Sequence, residues 1–199
     1  SSAASDVYKR QAFPHIYGTL AARWAGVPVV VHTRHGQRFG HGWWSRFQFR
    51  TISRGVDKIV AVSDDAAGLC RSADGLPAGK VQRIWNGIDL SRFRYQGPAR
   101  RPIAISVARL SPEKDFPTLV RAVPKILEAV PHFELRIVGG GAERERIEDT
   151  IRELDLADHV HCLGERSDVP ELLAEAAFFV SSSITEGVSL TLLEAMAVG

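Results

Sequence analysis

The stretch IAISVARLSPEKDFPTLVRAVPKILEAVPHFELRIVGGG, residues 103–141, decides how this 199-residue chain folds. Residues 103–108 and 133–138 are short runs rich in apolar side chains, and residues 115–130 between them carry their apolar positions at helical spacing. Strand, helix, strand in that order is a crossover unit, whose two strands lie parallel. Pro124 falls inside the helix and, lacking an N–H donor, is expected to kink it. Toward the carboxyl end the alternation continues through helix 142–156, strand 159–163, helix 168–176, strand 177–181 and helix 188–198. Regular alternation with apolar strands implies a parallel sheet covered on both faces.

Toward the amino end, residues 91–101, with Gly97, Pro98 and several arginines, break the periodicity and read as an interdomain linker. Before it lies a second α/β run. Helix 14–25 ends at Gly26 and Pro28, strand 29–31 follows, and residues 32–42 form a loop rich in Gly, His and Arg. Helix 43–53, strand 58–62 and a helix capped by Ser63, with Asp64 and Asp65 at its positive end, lead to strand 81–85 and the Asn86-Gly87 turn. The expected fold class is α/β: two Rossmann-like doubly wound parallel-sheet domains, residues 12–97 and 98–199, both incomplete in this chain. Residues 1–11 show neither period and are expected to be a non-native or disordered leader. The pattern stops after a helix, where a further strand is due, so the chain is expected to be cut short at both ends.

Composition bounds the rest. Hydrophobic residues make up 45% of the chain, enough for a packed core. No run of 18 uninterrupted apolar residues occurs, which sets the expectation of a soluble, cytoplasmic protein. Cys70 and Cys162 stand far apart without a CxxC partner, which fits reduced structural thiols better than a zinc site. The net charge of +2 hides an asymmetry: residues 12–100 hold 13 Lys and Arg against 5 Asp and Glu, whereas residues 101–199 hold 10 against 17. Ordinary solvation accounts for such a split; the sharper reading is that the basic half meets an anionic acceptor or the inner face of a membrane, peripherally. Nucleic acid is not among the expected partners.

The chemistry gathers in the second half. Arg109 and Lys114 follow its first strand, and Glu186, Gly187 and Glu194 follow its fourth. In a sheet of order 3-2-1-4 those two strands are neighbours, and the crevice beyond their carboxyl ends is where ligands bind. Two cations facing a helix amino terminus, with Val188, Ser189 and Leu190 presenting amide hydrogens, suit a diphosphate. Gly187 permits close backbone approach, and Glu194, about two turns on, is placed to accept paired hydrogen bonds from ribose hydroxyls. Taken singly, Arg109 and Lys114 read more often as solvated loop charges and Glu186 as a helix-start acid, whereas Glu194, amid Leu192, Leu193, Ala195 and Met196, reads as a partly buried carboxylate with a polar partner.

EGVSLTLLE, residues 186–194, resembles the E-x7-E signature of family 4 retaining glycosyltransferases. VARLSPEKDF resembles that family's phosphate loop, with Ala108 where Gly is commonest, and VVHTRHG, IVAVSDDA, IWNGIDLSRF, LRIVGGGAER and LGERSDVPELLAEAAFFVSSS follow in family order. The resemblance implies the GT-B fold and a hexosyltransferase of glycan or polysaccharide biosynthesis. Such an enzyme moves a sugar from a nucleoside diphosphate sugar to a glycan, lipid-linked or small-molecule acceptor, with retention. Carried across, Arg109 and Lys114 neutralise the diphosphate, Glu186 orients the donor sugar, Glu194 binds ribose, and His35 and His32 face the sugar and acceptor. No metal and no other cofactor is implied, because the basic pair supplies the positive charge. This chain itself is expected to be weakly active or inactive. A GT-B-fold sugar-nucleotide epimerase and a non-catalytic nucleotide-sugar or glycan-binding fragment remain the alternatives.

Other residues carry two readings each. Gly139, Gly140 and Gly141 are not a dinucleotide fingerprint, since Arg144 stands at the sixth position; a turn with close ligand approach near the nucleotide is the better use. Glu165 and Arg166 follow the third strand and either border the base or belong to a plain loop. His15, Arg34 and His41 are acceptor-side candidates, against the commoner fate of structurally satisfied side chains. Trp43 and Trp44 suit either a membrane interface or the core.

Overall fold

Ile103–Val107, buried at each of its five positions, forms strand β4 of a four-stranded parallel sheet in the computed structural model. The structure describes residues 14–35, 43–97, 99, 101–184, 186 and 188–199, and the chain divides into two compact units, Ser1–Asn86 and Gly87–Gly199. In the second unit β4 is followed by α4 (Phe116–Ala129), β5 (Glu134–Val138), α5 (Arg144–Glu153), β6 (Val160–Gly164), α6 (Val169–Glu175), β7 (Phe178–Phe179) and α7 (Leu190–Val198). The strand order is β6-β5-β4-β7, as the switch-point reading requires. Alternate residues of β4 serve opposite faces. Ala104 joins Leu135, Ile137, Phe116, Val120, Ile147 and Ile151 on the α4–α5 side, while Ile105 and Val107 join Leu172, Leu173 and Val198 on the α6–α7 side. Each of these side chains larger than Ala104 contributes about 1.5–3 kcal/mol by burial, so the sheet is held from both faces.

Several boundaries differ from the sequence reading. α4 starts one residue later and ends one residue earlier than the 115–130 read from sequence, and it contains Pro124. β7 is two residues long instead of five, and α7 begins at Leu190 instead of Val188 because Ser189 caps it, its hydroxyl accepting the Leu192 N–H at 3.4 Å. The unit begins at Gly87, eleven residues before the expected boundary at 97/98. The cause is Phe93, only 6% exposed among Ile105, Val107, Val138 and Val198, with Ile88 beside them. An aromatic ring buried there pulls the chain around it onto the second sheet.

The first unit holds α1 (Thr19–Trp24, entered through the wide helical turn Pro14–Gly18), β1 (Val31–Arg34), α2 (Trp43–Ile52), β2 (Lys58–Ala61), α3 (Asp64–Ser72) and β3 (Val81–Arg83). Its strands run parallel in the order β1-β2-β3. Ser63 caps α3 as expected, accepting the Ala66 N–H at 3.0 Å. β1 starts two residues later than the valine run suggests, and it takes in His32 and Arg34, which the sequence reading left in a loop. Asp57 sets that register: its N–H donates to the Val30 carbonyl at 2.8 Å, and its carboxylate accepts the Val30 N–H at 2.8 Å. The ladder then runs on until the Arg34 carbonyl accepts the Val62 N–H. Within the strand Arg34 points into the core, and Val31 faces out at 55% exposure. Among the described residues no helix is long and apolar enough to cross a membrane.

Candidate functional site

Because β4 and β7 are neighbours, the segments leaving their carboxyl ends, residues 108–115 and 180–184 with Glu186, share one edge of the second sheet. Three contacts join them. The Ile184 N–H donates to the Glu113 carbonyl at 2.9 Å, the Ser182 hydroxyl donates to the Lys114 carbonyl at 2.8 Å, and the Lys114 ammonium pairs with the Glu186 carboxylate. Asp115 follows Lys114 in the left-handed region, at φ 46 and ψ 46, where the chain turns sharply from the Pro112–Lys114 turn into α4. Asp tolerates that conformation better than most residues. The Lys114 side chain is 17% exposed and that of Glu186 35%, so the pair borders solvent. An ion pair of that kind contributes about 1 kcal/mol or less, which leaves both groups available to a ligand with better geometry.

Arg109 is held differently. Its guanidinium donates to Glu113 at 3.1 Å, with 43% of its side chain exposed. The Glu113 carboxyl is pulled below its usual range: burial opposes this, but its own N–H, the Ser111 hydroxyl and Arg109 outweigh burial. The backbone around Arg109 rests on the glycine turn, with the Ala108 N–H donating to the Val138 carbonyl at 3.0 Å and the Leu110 N–H to the Gly140 carbonyl at 2.9 Å. A Cβ on Gly139 (φ +140) would lie 1.9 Å from the Ala108 carbonyl oxygen, and one on Gly141 (φ +156) 2.2 Å from that of Leu110. At Gly140 it would lie 2.7 Å from a Glu165 carboxylate oxygen. The close approach that these glycines permit is therefore made by the Arg109 loop and by Glu165. Positive φ outside glycine occurs, among the described residues, at Asp115 and Asp155. Ala108 thus needs no glycine, and the departure from the family pattern there strains nothing.

Glu165 and Arg166 do follow β6, but they are engaged unequally. Arg166 grips Asp168 with two nitrogens, Nε donating at 2.7 Å, at the start of α6. On α7, Glu194 is half-buried, and desolvation raises its pKa while the charge of Arg92 opposes the rise. Arg92 was read as linker. Its neighbour Phe93 clusters with Ala195 and Val198 of α7, which carries Arg92 toward Glu194. The one sequence signal was the SRF at the end of the IWNGIDLSRF motif. Ser189 and Thr191 share a hydroxyl contact of 2.8 Å at the helix start, with Val188 and Leu190 on either side of Ser189. Gly187 lies outside the described residues. A cavity of about 560 Å³ lies at the opposite edge of the sheet, lined by Tyr95, Leu173, Ala177 and Val198.

The acceptor-side residues of the first unit meet a different fate. Arg34 is a core residue, 5% exposed: it pairs with Asp74, reaches Cys70 Sγ at 3.5 Å and lies 5.0 Å over the Phe49 ring. Removing one partner of such a buried pair costs about 3–5 kcal/mol, so Arg34 serves the fold. His15 is 1% exposed, its ring 4.1 Å from that of His32 and 4.5 Å from that of Phe49, with Nε2 3.2 Å from the Ser53 hydroxyl. Burial lowers the His15 pKa to about 4. His32 falls to about 3, through burial first and then the charges of His15, Arg34 and His35. His35, just past β1, is exposed. His41 lies outside the described residues.

Residues 88–199 match the family model described as glycosyl transferases group 1, and residues 7–92 match the model described as Glycosyltransferase Family 4. The chain is 32% identical to the GDP-mannose-dependent alpha-(1-6)-phosphatidylinositol monomannoside mannosyltransferase of Mycolicibacterium smegmatis, over 73% of this chain and 41% of that protein. It is 28% identical to the UDP-Gal:alpha-D-GlcNAc-diphosphoundecaprenol alpha-1,3-galactosyltransferase of Escherichia coli, over 92% of this chain and 53% of that protein. The crystal structure of Anabaena Alr3699/HepE in complex with UDP-glucose superposes with a TM-score of 0.80 at 20% identity, covering 94% of this chain and 56% of that one. This chain spans about half the length of the curated relatives it matches.

Proposed function

The chain belongs to the glycosyl transferases group 1 family, with a GT-B-type fold, and on that premise we propose that it acts in transferring a hexose-type sugar from a nucleoside diphosphate sugar to an acceptor, with retention of anomeric configuration. The observation that carries this reading is the Lys114–Glu186 pair, in which two loops from neighbouring strands bring a cation and a carboxylate together, with Arg109 held on Glu113 in the first of those loops. A diphosphate offers Lys114 more charge and more acceptor oxygens than one carboxylate does, so donor binding draws Lys114 away from Glu186. Glu186, released, is then free to accept hydroxyls of the donor sugar. As the glycosidic bond breaks, negative charge builds on the leaving diphosphate, and Arg109 and Lys114, already in place, stabilise it. No metal enters the proposal, since these two cations supply the charge.

Glu194 takes the ribose. Two vicinal hydroxyls donate to an ionised carboxylate, and Arg92 opposes the burial that would otherwise favour its neutral form. Among the described acceptor-side candidates, His35 is the exposed one, and it faces the sugar and acceptor. The acceptor is a sugar, free or lipid-linked, and the basic first unit is the part that meets an anionic membrane. Two of the compared relatives act on lipid-borne sugars by their names, which supports that class of acceptor.

The test is release of nucleoside diphosphate from UDP-, GDP- and ADP-sugars, with and without a membrane extract as acceptor, for the wild type and Glu186→Ala in the protein extended to the length of its relatives. Acceptor-dependent release, lowered at least about 100-fold by the substitution, is the expected result. Activity unchanged by Glu186→Ala would remove the site assignment, and donor epimerisation without acceptor would remove the transferase reading.

A further inference from the structure

The outward face of α2 carries Trp43, Trp44 and Phe47, which are 75%, 55% and 56% exposed. Their rings touch in sequence: Trp43 and Trp44 lie 5.2 Å apart edge to face, and Trp44 and Phe47 5.7 Å apart and stacked. At about 100° per residue the three occupy one arc, with Arg46 and Arg50 along its flank. Phe49, 2% exposed, points the other way and anchors the helix against Val56 and Ile59. The opposite reading from sequence, that these tryptophans are core, does not hold. Charge is as lopsided as hydrophobicity here, because residues 35–56 contain four arginines and no Asp or Glu.

From this we infer that the α2 face is a docking surface for an anionic lipid bilayer. Indole rings prefer the headgroup layer, where their apolar bodies leave water and their N–H groups stay hydrated. Arginines beside them gain from the negative surface potential, about fivefold in partition for each one. A ten-residue helix bearing both is suited to lie in the interface plane. Helix α1 also exposes an aromatic ring, Trp24 at 94%, but its one arginine, Arg23, is bound to Asp57 at 2.6 Å. The crossover topology starts α2 at the carboxyl end of β1, the same edge that carries His35. A bilayer on this face therefore brings a lipid-linked acceptor to the acceptor side of the first unit. This deepens the acceptor part of the proposed function, yet its test needs no transfer activity, so the two fail separately.

The test is co-sedimentation of the chain with vesicles of phosphatidylcholine alone or mixed with phosphatidylglycerol, at low and high salt. Circular dichroism checks that each variant is folded. The wild type is expected to bind the mixed vesicles at low salt, with a blue-shifted tryptophan emission, and to leave them at high salt. Trp43→Ala with Trp44→Ala, and separately Arg46→Gln with Arg50→Gln, should each weaken binding at least about tenfold, while Trp24→Ala should leave it unchanged. Equal binding to pure phosphatidylcholine, double variants that bind as the wild type does, or an equal loss in Trp24→Ala would each overturn the proposal.

Discussion

Both units place arginine and a second basic residue at the carboxyl end of a parallel strand, but the two sets do opposite work. In the second unit Arg109 and Lys114 stand at the border of solvent, each held by one carboxylate, Glu113 and Glu186. In the first, Arg34 and His32 turn inward, Arg34 to Asp74 and Phe49, His32 to His15. Residue type alone does not separate a ligand group from a structural one. What separates them is the partner: an exposed carboxylate can be displaced by a ligand, whereas a buried one has become part of the core.

The strongest way to break this contrast is Arg34→Ala. With Asp74 left buried and unpaired, the first unit should lose about 3–5 kcal/mol of stability, read by denaturant unfolding, while nucleotide binding by the second unit stays within about twofold of wild type. A loss of binding with stability intact would move Arg34 from the fold to the site. Next in size is a pH effect confined to the first unit. The folded pKa values of His15 and His32, about 4 and about 3, lie below the ordinary value of 6.5, so the unfolded chain takes up protons first as pH falls. Stability is then complete above pH 6.5 and declines through the window down to about pH 3, with His15 alone costing about 2 kcal/mol at pH 5. Thermal unfolding at pH 7.5 and pH 5, compared with His15→Gln, checks it; an unchanged difference between the two pH values in the variant would contradict the assignment.

Smaller still is the effect expected at Glu194. Burial raises its pKa, with Arg92 opposing, and it must be ionised to accept both ribose hydroxyls. Glu194→Gln should weaken nucleoside diphosphate binding about tenfold, and the pH dependence of binding on the acid side should vanish with it. Inorganic pyrophosphate, which has no ribose, should bind the variant as it binds the wild type.

Much of the second unit was legible in advance because its signals are local. Apolar strands alternate with helices, the order β6-β5-β4-β7 follows, and with it the meeting of Glu113 and Lys114 with Ser182, Ile184 and Glu186. What escaped notice depended on distant partners. Arg34 looked like a loop residue because Asp74, forty positions on, is what draws it inward. Phe93 sat among arginines, glycine and proline, so its burial against α7, and the arrival of Arg92 beside Glu194, left no periodic trace. The glycine turn too owes its residue type to distant partners, because the carbonyl oxygens of Ala108 and Leu110 occupy the places that a Cβ at Gly139 and Gly141 would take.

Calorimetric titration of UDP and GDP into wild-type, Lys114→Ala and Glu186→Gln chains addresses the contrast at its root. If Lys114 is held in reserve by a displaceable carboxylate, Lys114→Ala weakens the preferred nucleotide about 30-fold, whereas Glu186→Gln tightens it about threefold by removing the competing charge. Identical affinities in all three chains would contradict the account.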